Sequence, residues 1–413
     1  MKKRNFLAVL ASCTVVASMF SMTASAVNYP DAKQAAGSDM TFNKYLVLNK
    51  DANVPNATFK YTIAPGTAIE GTESTMQVYA GKFVTTDEVT APVVSDVTFT
   101  AGNSTTGGAD GDGITNSKNK KYASKAVNVD FDGIKFDEPG VYRYIVTEDL
   151  NDSQGVAVSG SIAKTLDVFV TDNGTGTLSA EKYVLYNSLV DTAPSKITAV
   201  DKNADKTAKD GKKTDGFVNT YDTNDLTLSK TVTGNQGSKD KYFKFRVTIK
   251  NAVPGTVYSV DLTNADATLI KNSATKAEYL DETNPTYITV GEDGTVTTNF
   301  YLQNGQSIKI FGLAEDTAYE IEETPEDYTP SVEITGDKTR TADSSDVSLS
   351  DNVVYDTELT EDTTVAFTND RQGTIPTGVI LSVAAPVAIG VAVLGGIVFL
   401  FIRNKKRDAE EEE

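Results

Sequence analysis

Six residues of this 413-residue chain carry side chains that could react with one another, and each stands where a strand should present an apolar group. Every second residue of a strand faces the same way. Phe42, Lys44, Leu46 and Leu48 share one parity, as do Leu226, Leu228, Lys230 and Val232. Glu148 shares parity with Tyr142, Tyr144 and Val146, and Glu323 with Tyr319 and Ile321. Asn219 sits in Phe217-Asn219-Tyr221, and Asn369 in Val365-Phe367-Asn369. An unpaired buried charge costs several kcal/mol after relaxation, so placing a lysine on an apolar face twice needs a reason. The reason this pattern offers is a covalent bond that the chain forms on itself. The plain alternative is a buried Lys–Glu ion pair with Asn as hydrogen-bond partner, or a set of exposed edge residues. Two trios in the same order and parity weigh against it.

The elements that must position these residues read as strands. Short alternating runs rich in Val, Thr, Tyr and Phe are separated by Gly, Asn and Asp turns, with no helical period of useful length. In Tyr242–Ile249 one face is Phe243, Phe245, Val247 and Ile249; Phe59–Ile63 is its counterpart near the start. Such spacing predicts antiparallel, immunoglobulin-like sandwiches. The pattern also repeats: a lysine strand, a Phe-rich strand, a stretch ending in glutamate, then Phe-X-Asn. The chain therefore divides into a domain at 27–222 and a second at 223–372, stacked end to end through a short joint. Two inserts swell the first domain. Gly102–Lys121 reads as a mobile loop, and Val200–Gly216, packed with Lys and Asp, as a solvated one.

Both ends have their own signatures. Residues 1–26 read as a secretory signal, with Lys2, Lys3 and Arg4, an apolar run and Ala24-Ser25-Ala26 as cleavage site. Leu10-Ala11-Ser12-Cys13 is a competing lipoprotein-like box. Cleavage after Ala26 removes the single cysteine, so the mature chain has no disulfide. Residues 379–402 carry no charge and are long enough to span a bilayer, and the basic residues opening the tail at 403–413 place that end in the cytoplasm.

Ile375-Pro376-Thr377-Gly378, the apolar span and the basic tail, in that order, resemble the cell-wall sorting signal of Gram-positive bacteria, over 373–413. The usual Leu-Pro-X-Thr-Gly lacks one residue here, as in some major pilins of the streptococcal T-antigen type. The trios resemble the intramolecular isopeptide domains of these sortase-assembled pilins, over essentially all of 40–370. That resemblance implies bonds Lys44–Asn219 and Lys230–Asn369, assisted by Glu148 and Glu323. Glu322 rivals Glu323, but its parity is opposite to Tyr319 and Ile321. Burial would free the lysine amine and keep the glutamate protonated against the carboxamide. The resemblance further implies that a sortase cuts between Thr377 and Gly378 and passes Thr377 to a lysine of an identical subunit, ending on peptidoglycan. In such pilins the acceptor lies a few residues before the bonded asparagine, where Lys212 and Lys213 stand; Lys212 is favoured on spacing, with Lys206 and Lys209 also open. The Tyr-Pro-Lys-Asn motif of other pilins is half-matched by Tyr29-Pro30-Asp31, with Lys33 out of register. The function implied is a pilus shaft subunit; a monomeric wall-anchored adhesin, or an uncleaved membrane-anchored receptor, are the alternatives. The host ligand is not legible.

What is missing narrows the classes. There is no histidine, so Ser-His-Asp triads and His–zinc sites are excluded, and no Gly-rich phosphate loop opens a helix. The chain reads as no enzyme toward an external substrate and as needing no cofactor. A net charge of −19 argues against nucleic acid as partner. Asp110-Gly111-Asp112-Gly113 resembles part of a calcium loop but lacks the later glutamate, so no metal is assigned and an Asp-Gly turn is the competing reading.

Overall fold

Runs rich in β-branched and aromatic residues form strands throughout the described part of the computed structural model, and no helix occurs among them. The described residues are 33–34, 39–83, 91–149, 154–172, 176, 178–196, 213–265, 282–324, 326–336, 347–350, 353–356 and 358–373. The signal segment, Lys206, Lys209, Lys212, the 375–378 motif, the apolar span and the tail lie outside them. Among the described residues no helix is long and apolar enough to cross a membrane. The chain falls into two compact units that meet in sequence at Asp222/Thr223, with Asp51–Asn53 grouped with the second.

The first unit is a sandwich of two sheets. A six-stranded sheet runs Val156–Ser159, Gly216–Tyr221, Asp39–Asn49, Lys120–Asp130 and Val93–Val94, with Thr105–Gly107 also on Lys120–Asp130. The facing eight-stranded sheet runs Lys33–Gln34, Leu178–Tyr186, Ala163–Asp172, Gly140–Asp149, Ala57–Pro65 and Val97–Phe99. Lys213–Thr214 joins it beside Leu178–Tyr186, and Val78–Ala80 lies parallel to Gly140–Asp149. Ala57–Pro65 opens with strict alternation of buried and exposed residues, the signature of a half-covered strand.

Gly140–Asp149 and Ala163–Asp172 depart from it, being buried on both faces. Their outer face carries a small second core of Val78, Val141, Phe169 and Val184. Arg143 and Asp167 sit beside it as a fully buried, two-pronged ion pair, and Arg143 also donates to the carbonyls of Val190 and Thr192.

The second unit repeats the plan with single-faced strands. Its six-stranded sheet runs Tyr287–Thr289, Val257–Asp261, Ser307–Ala314, Thr223–Thr233, Thr363–Asp370 and Thr329–Thr335. The other sheet runs Val296–Leu302, Phe243–Lys250, Ala318–Glu323, Val353–Asp356 and Val347–Ser350. Between them lies one apolar core containing Phe243, Phe245, Phe300, Tyr319, Ile321, Val354 and Phe367.

The inserts differ from their sequence reading. Gly102–Lys121 is folded rather than a free loop: Thr105–Gly107 pairs with Lys120–Asp130. Its turn is built on the Asp112 carboxylate, which accepts from the backbone N–H groups of Ala109, Ile114, Thr115 and Asn116. The Thr115 hydroxyl, which donates to the same carboxylate at 2.6 Å, and those backbone bonds hold the acid well below the usual carboxylate range, the pattern of an Asp-Gly turn. Val200–Gly216 is likewise no uninterrupted loop, because Lys213–Thr214 is a strand and Gly216 opens the next one.

Candidate functional site

In each unit the lysine strand and the asparagine strand, far apart in sequence, are parallel neighbours in one sheet, which sets the two residues side by side on its inward face. Asp39–Asn49 pairs with Gly216–Tyr221, setting Lys44 opposite Phe217 and Leu46 opposite Asn219. Thr223–Thr233 pairs with Thr363–Asp370, setting Lys230 opposite Phe367 and Val232 opposite Asn369. The register is the same in both: the asparagine lies two residues beyond the lysine, on the same face. Two residues of strand span about 6.6 Å, a gap suited to the four-carbon lysine stem reaching toward a short carboxamide. Gly216 permits the close approach in the first unit, since a Cβ there would lie 1.9 Å from the Asn43 carbonyl oxygen.

The glutamates come from the opposite sheet. Glu148 lies beside Tyr61, and Glu323 beside Phe245, on the Phe-rich strands. The Lys44 ammonium donates to Oε1 of Glu148, and Nδ2 of Asn219 donates to the same oxygen at 3.2 Å. In the second unit Lys230 donates to Oε1 of Glu323 at 2.6 Å and Asn369 Nδ2 does so at 2.8 Å. All six side chains are at most 2% exposed. Glu322 points the other way and pairs with Arg246 on the outer face. Aromatic rings close each chamber: the Lys44 Nζ lies 4.1 Å from the Phe59 ring centre and the Lys230 Nζ 4.4 Å from that of Phe243.

Burial governs the protonation of both trios. It lowers Lys44 and Lys230 from 10.5 to about 8, against the opposing pull of the glutamates. It raises Glu148 and Glu323, against the pull of the lysines. The directions are those of a proton moving from ammonium to carboxylate, which yields a neutral amine beside a carboxylic acid. The carboxamide oxygens of Asn219 and Asn369 are buried and accept no hydrogen bond, and Oε2 of Glu148 has no partner either. A protonated carboxyl is the donor that such an oxygen lacks. What the arrangement can do is therefore amide formation: a free amine, a carboxamide carbon and an acid to polarise it, in a dry chamber.

Comparisons with known proteins find likenesses among pilins. Residues 44–222 match the family described as the Spy0128-like isopeptide containing domain. A curated pilin from Streptococcus pyogenes serotype M1 is 25% identical over 374 residues, covering 89% of this chain and 91% of that protein. Over these residues the chain is similar to pilins of this isopeptide-containing type. Residues 224–371 match a family described only as a domain of unknown function, DUF7601. Among solved structures, a major pilin protein (T3.2) of Streptococcus pyogenes aligns over 82% of this chain and 99% of its own, at 18% identity and a TM-score of 0.50. Another Streptococcus pyogenes major pilin covers the same 82% and 99% at 22% identity and a TM-score of 0.47. The first of these is a likeness of fold.

The remaining candidates are placed unevenly. Lys213 is exposed on a two-residue strand opposite Tyr186, while Lys212 lies outside the described residues. Asp215, just downstream, ties the segment to the lysine strand: its carboxylate accepts from Tyr45 Oη at 2.6 Å, and its carbonyl from the Asn43 N–H at 2.7 Å. A buried lysine that the sequence reading passed over is Lys164, which donates to Asn187 Oδ1 at 2.7 Å with its Nζ 5.0 Å from the Phe217 ring centre. Its parity with Leu166, Val168 and Val170 is the same signal that exposed Lys44.

Proposed function

We propose that this chain is the structural shaft subunit of a covalently polymerised cell-surface pilus, each domain locked by a self-made bond, Lys44–Asn219 in the first and Lys230–Asn369 in the second. The single observation that carries the reading is the duplicated constellation: the same lysine–asparagine offset on parallel neighbouring strands, with a glutamate across the sandwich bonded to both. A surface ion pair would need no such repetition.

The reaction follows from the chamber. Burial transfers the lysine proton to the glutamate, and the free amine attacks the carboxamide carbon of asparagine. The acid polarises the carbonyl and hands protons to the departing nitrogen. Nζ becomes an amide nitrogen and the carboxamide nitrogen leaves as ammonia. Folding provides the proximity, worth up to about 7–11 kcal/mol for well-oriented groups. The product is neutral, so the penalty of a buried ammonium disappears. No external substrate is turned over.

Assembly is the second half of the proposal. A sortase cleaves between Thr377 and Gly378 and transfers the Thr377 carbonyl to an amine of the next copy, Lys212 or its neighbour Lys213, with the last subunit joined to cell-wall peptidoglycan. The first test is the intact mass of the full chain. Each bond expels one ammonia, about 17 Da; a deficit of about 34 Da supports both bonds, and no deficit returns the six residues to buried polar groups.

A further inference from the structure

The two chambers share their trios but not their surroundings. Lys164, on Ala163–Asp172, is paired with Val146, two residues before Glu148, and faces the same interior. The matching place in the second unit is Val354, paired with Ile321, two residues before Glu323, and fully buried. Beside Glu148 stands Tyr61, whose buried hydroxyl has no hydrogen-bond partner; beside Glu323 stands Phe245. Diagonal neighbours on one face of a sheet lie within reach of long side chains. Burial lowers Lys164 from 10.5 to about 8, and Glu148 and then Asp215 are the carboxylates that pull it back toward the charged form.

Charge balance then separates the units. Before reaction each lysine–glutamate pair is neutral as a whole. Bond formation removes the ammonium, and two of its three protons must go elsewhere: one completes ammonia, and the other either stays on the glutamate or leaves with the nitrogen as ammonium. A carboxylate left alone in an apolar chamber keeps the proton. One that retains a cation can release it. The groups facing Glu148 are Lys44, Lys164, Tyr61 and Asn219, with Asp96 acting on Tyr61. Lys125, opposite Lys44, turns its ammonium to the exposed Thr98 carbonyl. Glu323 faces Lys230 and Asn369, with Glu326 beyond them. Lys241 lies 5.7 Å from the Phe243 ring centre but is already paired with Glu326 at 2.6 Å.

We infer that Lys164 is the positioning residue that becomes the counter-ion of Glu148 once Lys44 is consumed, so that the first chamber releases ammonium and keeps a buried charged pair, whereas the second releases ammonia and keeps Glu323 protonated. The inference rests on the cross-linking reading above. Its test is the infrared carbonyl stretch of protonated carboxyl groups in the full chain at neutral pH, with glutamate carrying a heavy-carbon label so that aspartates do not contribute. Wild type should show one protonated buried glutamate, Lys164→Met two, and Lys164→Arg one again. Two in wild type, or no doubling in Lys164→Met, overturns it. Intact mass on the same samples separates the failures. A missing ammonia deficit sinks the cross-link and this inference together; a full deficit with an unchanged band sinks this inference alone. Should Lys164→Met not fold, acidifying wild type decides: a second band must grow in as Glu148 takes up a proton, and a band already at full height at neutral pH refutes the pair.

Discussion

Asn369→Ala isolates the contribution of the second bond. Removing Lys230 or Glu323 would strand the other charge inside the core, a loss of about 3–5 kcal/mol unrelated to cross-linking. Removing Asn369 instead takes away the electrophile and leaves the Lys230–Glu323 pair at 2.6 Å in place. The bond between positions 230 and 369 closes a loop on the order of 140 residues, for which chain entropy gives a stabilisation of about 5 kcal/mol. For a domain of this size that corresponds to a fall in melting temperature of about 10–20 °C. Two readouts are needed. Intact mass should show the deficit falling from about 34 to about 17 Da, because the first domain still reacts. Calorimetry should show one transition displaced by the stated interval and the other unmoved. A variant that keeps the full deficit refutes the assignment of Asn369. One that loses about 17 Da of deficit yet melts within a few degrees of wild type refutes the claim that the bond stabilises the domain.

The pH dependence of that variant has a definite sign. With Lys230 unreacted and held at about 8 instead of 10.5, the unfolded chain binds more protons between those values, so stability rises as pH climbs from about 8 through 10.5. In wild type Lys230 is an amide, so denaturant titrations at both ends of the window should show the gap between the two proteins narrowing. Arg143→Met leaves Asp167 buried without its partner; we expect the first domain alone to lose about 3–5 kcal/mol, with faster protease cleavage within 187–195 as the Val190 and Thr192 carbonyls lose their donor. Gly216→Ala drives a Cβ into the Asn43 carbonyl beside Lys44, and timed mass measurements after refolding should show the first bond forming at least about tenfold more slowly, a barrier increase of about 1.4 kcal/mol. In cells with the cognate sortase, Lys212→Arg should abolish the high-mass ladder and Lys213→Arg should not, since a guanidinium stays protonated and cannot serve as acceptor; a ladder that survives the first and is lost in the second moves the acceptor to Lys213.

Alternation made the trios legible because one parity of each strand is otherwise apolar, so a lone polar residue among Phe42, Leu46 and Leu48 stands out. Parity served on Gly140–Asp149 for Glu148, but Ala163–Asp172 is buried on both faces, so Lys164 stands out less there, and Arg143 and Asp167 lie on a covered outer face that alternation reads as solvated. That is why Lys164, Arg143 and Asp167 went unremarked, although their types are as unusual in a core as Lys44. Register was out of reach for a different reason. The sequence pattern orders the strands but does not say how far one slides along the other, and the two-residue offset of Lys44 and Asn219 is a property of pairing. In the glycine-rich insert the turn residues were read correctly as turn formers, but composition alone does not tell a free loop from a short paired extension built on Asp112.

What the two units hold in common defines how little the chemistry needs. Each has its lysine over the ring of a phenylalanine two residues before the position opposite the glutamate: Phe59 against Tyr61, Phe243 against Phe245. A ring face favours ammonium by roughly 0.5–2 kcal/mol, which opposes release of the proton. Lowering the lysine from 10.5 to about 8 corresponds to about 3 kcal/mol in the other direction, even with the glutamate pulling against it. Burial therefore outweighs both attractions, and the ring serves mainly to exclude water and aim the stem. Since the second chamber reaches the same balance with Val354 and Phe245 where the first has Lys164 and Tyr61, those two polar groups are not required to free the amine. Their consequence falls on the other side of the reaction, on the glutamate that is left behind when the lysine charge is gone.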